Sequence, residues 1–172
     1  MSLINIRDVA DQFERYRMPA LESRVKYLGQ YNATFLMNLQ IVAKSLKIDT
    51  MCLVRYFGNT LSTKAKFNDT TKEVELKGLF DEAKLLQTLR SFINQYVLCP
   101  KCGLPELEYK AKKKRLNCTC RACGNNIDCD LSDKVYKAMH QSLLDNISKP
   151  EESTPIEENV LSEDSTNQMV FL

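Results

Sequence analysis

The sequence predicts an α+β protein: a small mixed α/β domain, then a cysteine-rich ribbon, with an arm in front and a tail behind. Three observations predict it. Short alternating runs and runs of helical period succeed each other between residues 20 and 97. Six of the seven cysteines fall between Cys99 and Cys129. The flanking segments lack a sustained apolar period. We therefore divide the chain into an N-terminal arm (1–19), the mixed domain (20–97), the ribbon (98–130), a helix packing back on the body (131–148) and the tail (149–172).

Length and composition limit the class of protein. A chain of 172 residues has room for one core and a small additional module. Its 44% hydrophobic and 27% charged content is ordinary for a soluble globular protein. No apolar run approaches the roughly 18 residues that a membrane span needs, and the N-terminus lacks the apolar segment of a secretory signal. We expect a cytoplasmic, monomeric protein without a membrane partner.

The charge is unevenly distributed along the chain. Residues 150–172 contain six acidic side chains and no Lys or Arg, and we expect this polar tail to be disordered. Subtracting those six from the 22 acidic residues leaves 16 against 24 basic residues, a net charge of +8 over residues 1–149. Such a body suits a polyanionic partner such as RNA. A charge surplus that serves only solubility is the alternative.

The first part of the mixed domain predicts a strand and two short helices. Alternation around Phe35 indicates the strand. Asn38 is positioned to cap a helix through residues 39–47, and Asp49 offers the N-cap of a second helix. Gly58 is expected to end that second helix in a left-handed conformation.

A hairpin and a longer helix complete the mixed domain. Two alternating runs, 61–67 and 72–78, are separated by "NDTT", which is typical of a hairpin. From Asp81, apolar residues recur at helical spacing up to Tyr96, directly before the first cysteine of the ribbon.

A further helix is predicted after the ribbon. Val135, Met139, Leu143 and Ile147 lie on one apolar stripe, and Ser132 is the expected cap. The single histidine of the chain lies in this helix, and we expect it to serve surface or core packing rather than metal binding.

Two knuckles of sequence C-x2-C, separated by seventeen residues, predict a metal site. Two residues between cysteines let both thiolates of a knuckle face one ion, and the intervening segment is long enough for strands that bring the knuckles together. Four thiolates with no open position are typical of structural Zn2+. The sequence therefore predicts a four-cysteine zinc ribbon with the ligands Cys99, Cys102, Cys120 and Cys123.

Residues next to the knuckles support the choice of these four cysteines as ligands. Gly103 and Gly124 follow the second cysteine of each knuckle and permit a positive-φ turn. Cys118 and Cys129 lie outside such knuckles, so we leave them out. An iron–sulfur cluster or scattered core cysteines are the alternatives.

Two basic segments are candidates for function. In "DQFERYRMP", residues 11–19, Arg15 stands between Phe13 and Tyr16, and these aromatics are expected to fix the root of a mobile arm. The run from Lys110 to Arg115 lies between the knuckles, on an expected exposed hairpin. It either faces solvent or contacts a phosphate backbone.

With these segments located, the chain from about Asn5 to Ile147 resembles the N-terminal portion of eukaryotic translation initiation factor 5. The resemblance is carried by "DQFERYRMP", "VAKSLK", "RYFG" at 55–58, "AKF" at 65–67, "EAKLLQTLRSFINQYVLCPKCGLPE" and "CRACG". The beta subunit of initiation factor 2 shares the body and the ribbon but normally has a lysine-rich extension in front.

The resemblance implies a GTPase-activating protein, not itself an enzyme, that acts on initiation factor 2 when the start codon is recognised. Arg15 matches the family's proposed arginine finger; an arginine that only anchors the arm is the alternative. The implied partners are the GTPase and beta subunits of initiation factor 2, the small ribosomal subunit and initiator tRNA. Because the chain has no G-x-x-x-x-G-K-[ST] loop, GTP would be bound by the partner.

The chain departs from the resembled family in three ways. Arg55, the second catalytic candidate that the resemblance implies beside Arg15, keeps a positive charge where the family usually has Lys. Ala33 replaces another such Lys, and Lys26 is a candidate to compensate. Factor 5 also continues into a C-terminal helical-repeat domain, so we expect either a fragment or a reduced form.

A non-catalytic module that binds RNA or the ribosome and stabilises initiator tRNA is the alternative function. A zinc ribbon of the transcription type is the third possible function.

Overall fold

The computed structural model describes residues 2–147, so the tail predicted to be disordered (149–172) lies outside the described residues. Four helices and nine strands are present in the described part of the chain. The strands are β1 (Leu3–Asn5), β2 (Arg17–Pro19), β3 (Ser23–Tyr27), β4 (Asn32–Leu36), β5 (Ala65–Phe67), β6 (Val74–Lys77), β7 (Leu107–Lys112), β8 (Arg115–Cys120) and β9 (Asn126–Cys129). The helices are α1 (Leu39–Ser45), α2 (Thr50–Thr60), α3 (Glu82–Tyr96) and α4 (Lys134–Ile147).

A four-stranded antiparallel sheet with the order β3-β4-β6-β5 forms the body. Alternation places Leu36, Val74 and Leu76 on its inner face, where all three are fully buried. They belong to one apolar cluster with residues of α1, α2 and α3, such as Phe57 and Phe92. The predicted α+β architecture is therefore confirmed.

The arm is attached to the body at both ends. β1 pairs with β2 in antiparallel register. Met18 of β2 and Ile6, the residue after β1, are buried in the main cluster. The guanidinium of Arg90 on α3 donates to the carbonyls of Asn5 (2.8 Å) and Ile6 (2.9 Å). Residues 6–16, which we call the arm loop, therefore project from a fixed base.

The two short helices, α1 and α2, begin where the sequence predicts, but the residue expected to cap α1 makes other hydrogen bonds. Asp49 caps α2 by accepting a hydrogen bond from the amide of Met51 at 2.8 Å. Asn38 occupies the N-cap position of α1 but makes no capping bond. Its side chain instead accepts from the amide of Glu22 (2.9 Å) and donates to the carbonyl of Ala20 (2.7 Å), which joins the end of the arm to α1.

The prediction that Gly58 ends α2 in a left-handed conformation is wrong. The helix continues to Thr60, and Ser62 takes the positive φ, at 50°. Gly58 is instead needed for a close approach, because a Cβ there would lie 3.2 Å from the Cβ of Ala65 and 3.2 Å from the carbonyl oxygen of Thr63. Its missing side chain lets α2 lie against β5.

The ribbon is a three-stranded antiparallel sheet with the order β7-β8-β9, and α4 follows it. α4 contacts α2 of the body and β7 of the ribbon. Asp133, rather than Ser132, caps this helix by accepting from the amide of Val135 at 2.7 Å. The lone histidine, His140, lies with Nε2 2.7 Å from the carbonyl of Lys112, and so joins α4 to the hairpin.

None of the helices in residues 2–147 is both long and apolar enough to cross a membrane.

Gly58→Val should destabilise the protein by about 1–3 kcal/mol, because the new side chain overpacks the contact between α2 and β5. The free energy of unfolding, measured by urea denaturation, checks this. Thr60→Ala, at an exposed position of the same helix, is the control and should change it by less than about 0.5 kcal/mol. Equal stability of the two variants would contradict the close approach at Gly58.

Candidate metal centre and arginine loop

The structure brings the four predicted metal cysteines to one point. The sulfurs of Cys99, Cys102, Cys120 and Cys123 all lie within 4.8 Å of one another. Cys99 Sγ is 3.7 Å from Cys123 Sγ, and Cys102 Sγ is 3.6 Å from Cys120 Sγ. A tetrahedral ion with metal–sulfur bonds of about 2.3 Å has sulfur–sulfur edges of about 3.8 Å. The spacing and the donor set therefore fit a tetrahedral metal ion.

The two knuckles are built alike. In each, the glycine takes a positive φ, 68° at Gly103 and 69° at Gly124. Its amide donates back to the carbonyl of the first cysteine, at 2.7 Å for Gly103 and 2.9 Å for Gly124. A residue with a Cβ would be strained in that turn, which explains the glycine at the same place in both knuckles. The first knuckle follows directly on α3, and the second follows β8.

The thiols of the cluster influence each other's ionisation. Burial raises the pKa of Cys99, but hydrogen bonds from the backbone amides of Cys102 and Lys101 and from neighbouring thiols outweigh it and lower the pKa to about 6. A backbone hydrogen bond from Leu104 lowers the pKa of Cys102, whereas burial and the three other thiols raise it to about 12. A cation bound between these sulfurs would favour their thiolate form.

The three remaining cysteines have a different environment. Burial raises the pKa of Cys52 and of Cys118 to about 12, and that of Cys129 to about 11. Among the described residues, none of them belongs to a group placed for metal binding. These thiols behave as small apolar side chains of the core.

An ion pair across the arm loop holds its shape. Glu14 is buried, and its carboxylate pairs with the guanidinium of Arg7 while also accepting from the amide of Tyr16 at 3.3 Å. The side chain of Asn5 donates to the carbonyls of Val9 and Asp11, both at 2.7 Å. The loop is therefore cross-linked internally. Sequence reasoning missed Arg7 and Glu14, because neither a motif nor a period connects residues seven apart in a loop.

Arg15 lies at the surface of this cross-linked loop. Its side chain is exposed, and its guanidinium carbon is 5.7 Å from the centre of the Tyr16 ring. Among the described residues it forms no ion pair. Tyr16 packs on the core, as expected for the root of the arm, whereas Phe13 is 85% exposed and does not. The nearby Glu106 carboxylate raises the pKa of Tyr16.

Arg55 lies on another element than Arg15, on α2 instead of the arm loop. Arg55 is exposed on α2 and lines a groove that Lys134 and Lys137 of α4 close on the other side. We call this cavity the α2–α4 groove. No hydrogen bond, ion pair or ring contact joins the two arginines in the described part of the chain.

Ala33 lies between two lysines of the sheet. It is fully buried on β4, with Lys26 of β3 and Lys77 of β6 as its cross-strand partners. Direct partners in an antiparallel sheet point to the same face. The Lys26 ammonium lies 4.3 Å from the centre of the Phe35 ring, and that of Lys77 lies 4.7 Å from the Tyr31 ring. Ala33 itself carries no charge, but a positively charged side chain lies on each side of it.

The basic run from Lys110 to Arg115 lies on the hairpin of β7 and β8. Lys112, Arg115 and the two lysines between them are exposed, as expected. Lys110 lies 3.9 Å from Glu108 on its own strand.

The chain thus consists of an α+β body followed by a ribbon with two cysteine knuckles. Comparison with known proteins identifies the family to which it belongs. The family described as a domain found in initiation factors 2B and 5 has a model that matches residues 6–126, and the chain belongs to this family. That range includes Arg15, Arg55 and the four clustered cysteines.

Comparison with individual relatives makes the resemblance more specific, because those given below are all initiation factor 5. Eukaryotic translation initiation factor 5 of Caenorhabditis elegans is 35% identical over 135 residues, which is 78% of this chain and 31% of that protein. Factor 5 of Mus musculus is 36% identical over 126 residues, 72% of this chain and 29% of that protein. Factor 5 of Zea mays is 35% identical over 126 residues, which is 73% of this chain and 28% of that protein. The resemblance to the N-terminal portion of factor 5 is thus confirmed, and the chain spans about three tenths of the length of these relatives.

Glu14→Gln should loosen the arm loop, because it removes the charge that pairs with Arg7 and leaves that guanidinium unpaired. We expect a loss of about 1–3 kcal/mol in local stability, seen as faster amide hydrogen exchange across residues 7–16. Asp8→Asn, which removes an exposed carboxylate from the same loop, is the matched control and should leave exchange unchanged. Unchanged exchange in both variants would show that the ion pair does not hold the loop.

Proposed function

We propose that this chain stimulates GTP hydrolysis by initiation factor 2 in the small-subunit preinitiation complex when the start codon is recognised, with Arg15 as an arginine finger. One observation carries the proposal: an exposed arginine without an ion pair among the described residues stands on a cross-linked loop, in a chain of the family found in initiation factors 2B and 5. Factor 2, its beta subunit, the small ribosomal subunit and initiator tRNA are the proposed partners. The proposed location is the cytoplasm.

The chemistry of phosphoryl transfer explains why such an arginine would act. Negative charge builds on the phosphate oxygens in the transition state, and a guanidinium delivered in trans stabilises it, by about 10³–10⁵ in rate for known fingers. The Arg7–Glu14 ion pair would hold the loop before the partner binds, which lowers the entropic cost of placing the finger. The nucleotide belongs to the partner.

Arg55 and the lysines around Ala33 are proposed as supporting charges. Arg55 lies on another element than Arg15, so its contribution would be to hold the partner complex rather than to touch the same phosphate. Lys26 and Lys77 flank Ala33 directly. They would supply the positive charge that the resembled family usually places at that position.

We propose Zn2+ as the ion of the cysteine cluster, with a structural role. Four thiolates complete a tetrahedral shell and leave no position for water or substrate. The ion would fix the ribbon, and through it the hairpin that carries the basic run.

A second candidate function is favoured by that hairpin. Its exposed basic run and the net charge of +8 over residues 1–149 suit a non-catalytic module that binds RNA and stabilises the start-recognised state. Hydrolysis would then be left to the GTPase itself.

Arg15→Lys separates the two functions, because it keeps the charge and removes the planar fork. We expect the single-turnover rate of GTP hydrolysis, measured in a complex of factor 2, initiator tRNA and the small subunit, to fall by at least about tenfold. Arg17→Lys changes another exposed arginine of the arm and is the control; it should keep the wild-type rate. If the wild type binds the complex without accelerating hydrolysis, the binding function replaces the catalytic one.

The metal proposal predicts one zinc ion per chain and a defined pattern of thiol labelling. With the metal bound, alkylation at neutral pH should be slow at all seven cysteines. A chelator should unfold the ribbon and expose its six cysteines, while Cys52 stays protected because burial in the body raises its pKa to about 12. Mass spectrometry of the alkylated peptides reads out each site. Native protein without zinc, or fast labelling before chelation, would refute the proposal.

A further inference from the structure

The α2–α4 groove is a basic cavity, and the proposed GTPase stimulation assigns no role to its two lysines. It has a volume of about 630 Å³, with Arg55 on its α2 wall and Lys134 and Lys137 on its α4 wall. Its floor is apolar and includes Val54 and Val135. The family model matches residues 6–126, so the α4 wall lies outside the matched range.

The three cations of the groove lack counterions. Arg55, Lys134 and Lys137 are exposed, and within residues 2–147 none of them forms an ion pair or a side-chain hydrogen bond. No acidic side chain is among the described residues that line the cavity. Lys134 and Lys137 are one helical turn apart and therefore share a face of α4. The groove thus concentrates positive potential that an anion would relieve.

α4, which forms one wall of the groove, also contacts the basic hairpin of the ribbon. Gln141 lines the groove, and its neighbour His140 contacts the carbonyl of Lys112 at the end of β7. Lys112 and Lys113 are exposed there. Lys114 and Arg115 instead share a cavity with Asp128 and Asp130, so they contribute less free charge. We call Arg55, Lys134, Lys137, Lys112 and Lys113 the basic track. These five cations lie on α2, α4 and the hairpin, and one small anion could not contact all of them.

We propose that the α2–α4 groove and this track bind the phosphate backbone of an RNA strand. Arg and Lys contact phosphate oxygens directly, and the fork of Arg55 suits one phosphate in a bidentate manner. The amide of Asn59, which lines the groove, is a further donor of the type used on phosphate and sugar. An extended polyanion matches charges that are spread along a helix and a hairpin. The inference rests on the second candidate function, RNA binding, and gives that function a site that does not involve Arg15.

The test is the affinity of the zinc-loaded chain for a labelled single-stranded RNA of mixed sequence, measured by fluorescence anisotropy at several salt concentrations. The groove variant carries Arg55→Gln, Lys134→Gln and Lys137→Gln. We expect its dissociation constant to rise at least about tenfold at about 0.1 M salt. The slope of log K against log salt should fall by about two to three, one per lost phosphate contact.

Two controls make the result specific. A variant with Arg24→Gln, Lys44→Gln and Lys84→Gln removes the same charge from exposed positions outside the groove, and its affinity should change by less than about threefold. A variant with Lys134→Arg and Lys137→Arg keeps both the charge and the fork of Arg55, and it should bind like the wild type. Thermal unfolding of each variant shows whether it is folded.

Three outcomes would overturn the proposal. Equal losses in the groove variant and the dispersed-charge control would mean that net charge alone attracts RNA. Unchanged RNA binding in the folded groove variant would exclude this surface. If that variant instead lost binding of a labelled oligoglutamate peptide while keeping RNA affinity, the groove would be a site for an acidic protein segment.

Discussion

The packing of Tyr96 is the interaction on which the arrangement of the parts depends. Its ring lies 5.1 Å from Phe92, 5.9 Å from Tyr56 and 5.1 Å from Tyr136 of α4, measured between ring centres. Its hydroxyl donates to Asp133 at 2.9 Å, and its carbonyl accepts from Tyr109 of the ribbon at 2.6 Å. Burial raises the pKa of Tyr96, so the phenol remains a donor. One residue thus joins the body, the ribbon and α4.

This junction sets where the functional surfaces lie. Asp133 accepts from Tyr96 and also caps α4, so the start of α4 is bonded to the body. α4 in turn forms one wall of the α2–α4 groove and contacts the hairpin through His140. The first knuckle continues directly from the end of α3. A metal ion there would consequently stabilise the same hydrophobic assembly that positions the groove.

Two separate cationic surfaces result from this assembly. The arm loop presents Arg15 near the ribbon, because Tyr16 and Glu106 interact there. The groove holds Arg55 with Lys134 and Lys137. A family pattern alone would treat Arg15 and Arg55 as one active group. In the structure the two arginines lie on different elements, Arg15 in the arm loop and Arg55 on α2.

The sequence by itself determined the features whose physics is local. Cysteine spacing, the glycine after each knuckle, the cap of α2 at Asp49 and the alternation of the inner strands all depend on neighbours within a few residues. Only the tertiary structure decided the features that depend on distant contacts. The burial of Ala33 between two lysines, the Arg7–Glu14 ion pair and the position of Arg55 opposite α4 arise from packing between separate elements. Gly58 shows the difference most clearly: a local rule predicts a helix end, but the approach of Ala65 requires a glycine inside the helix.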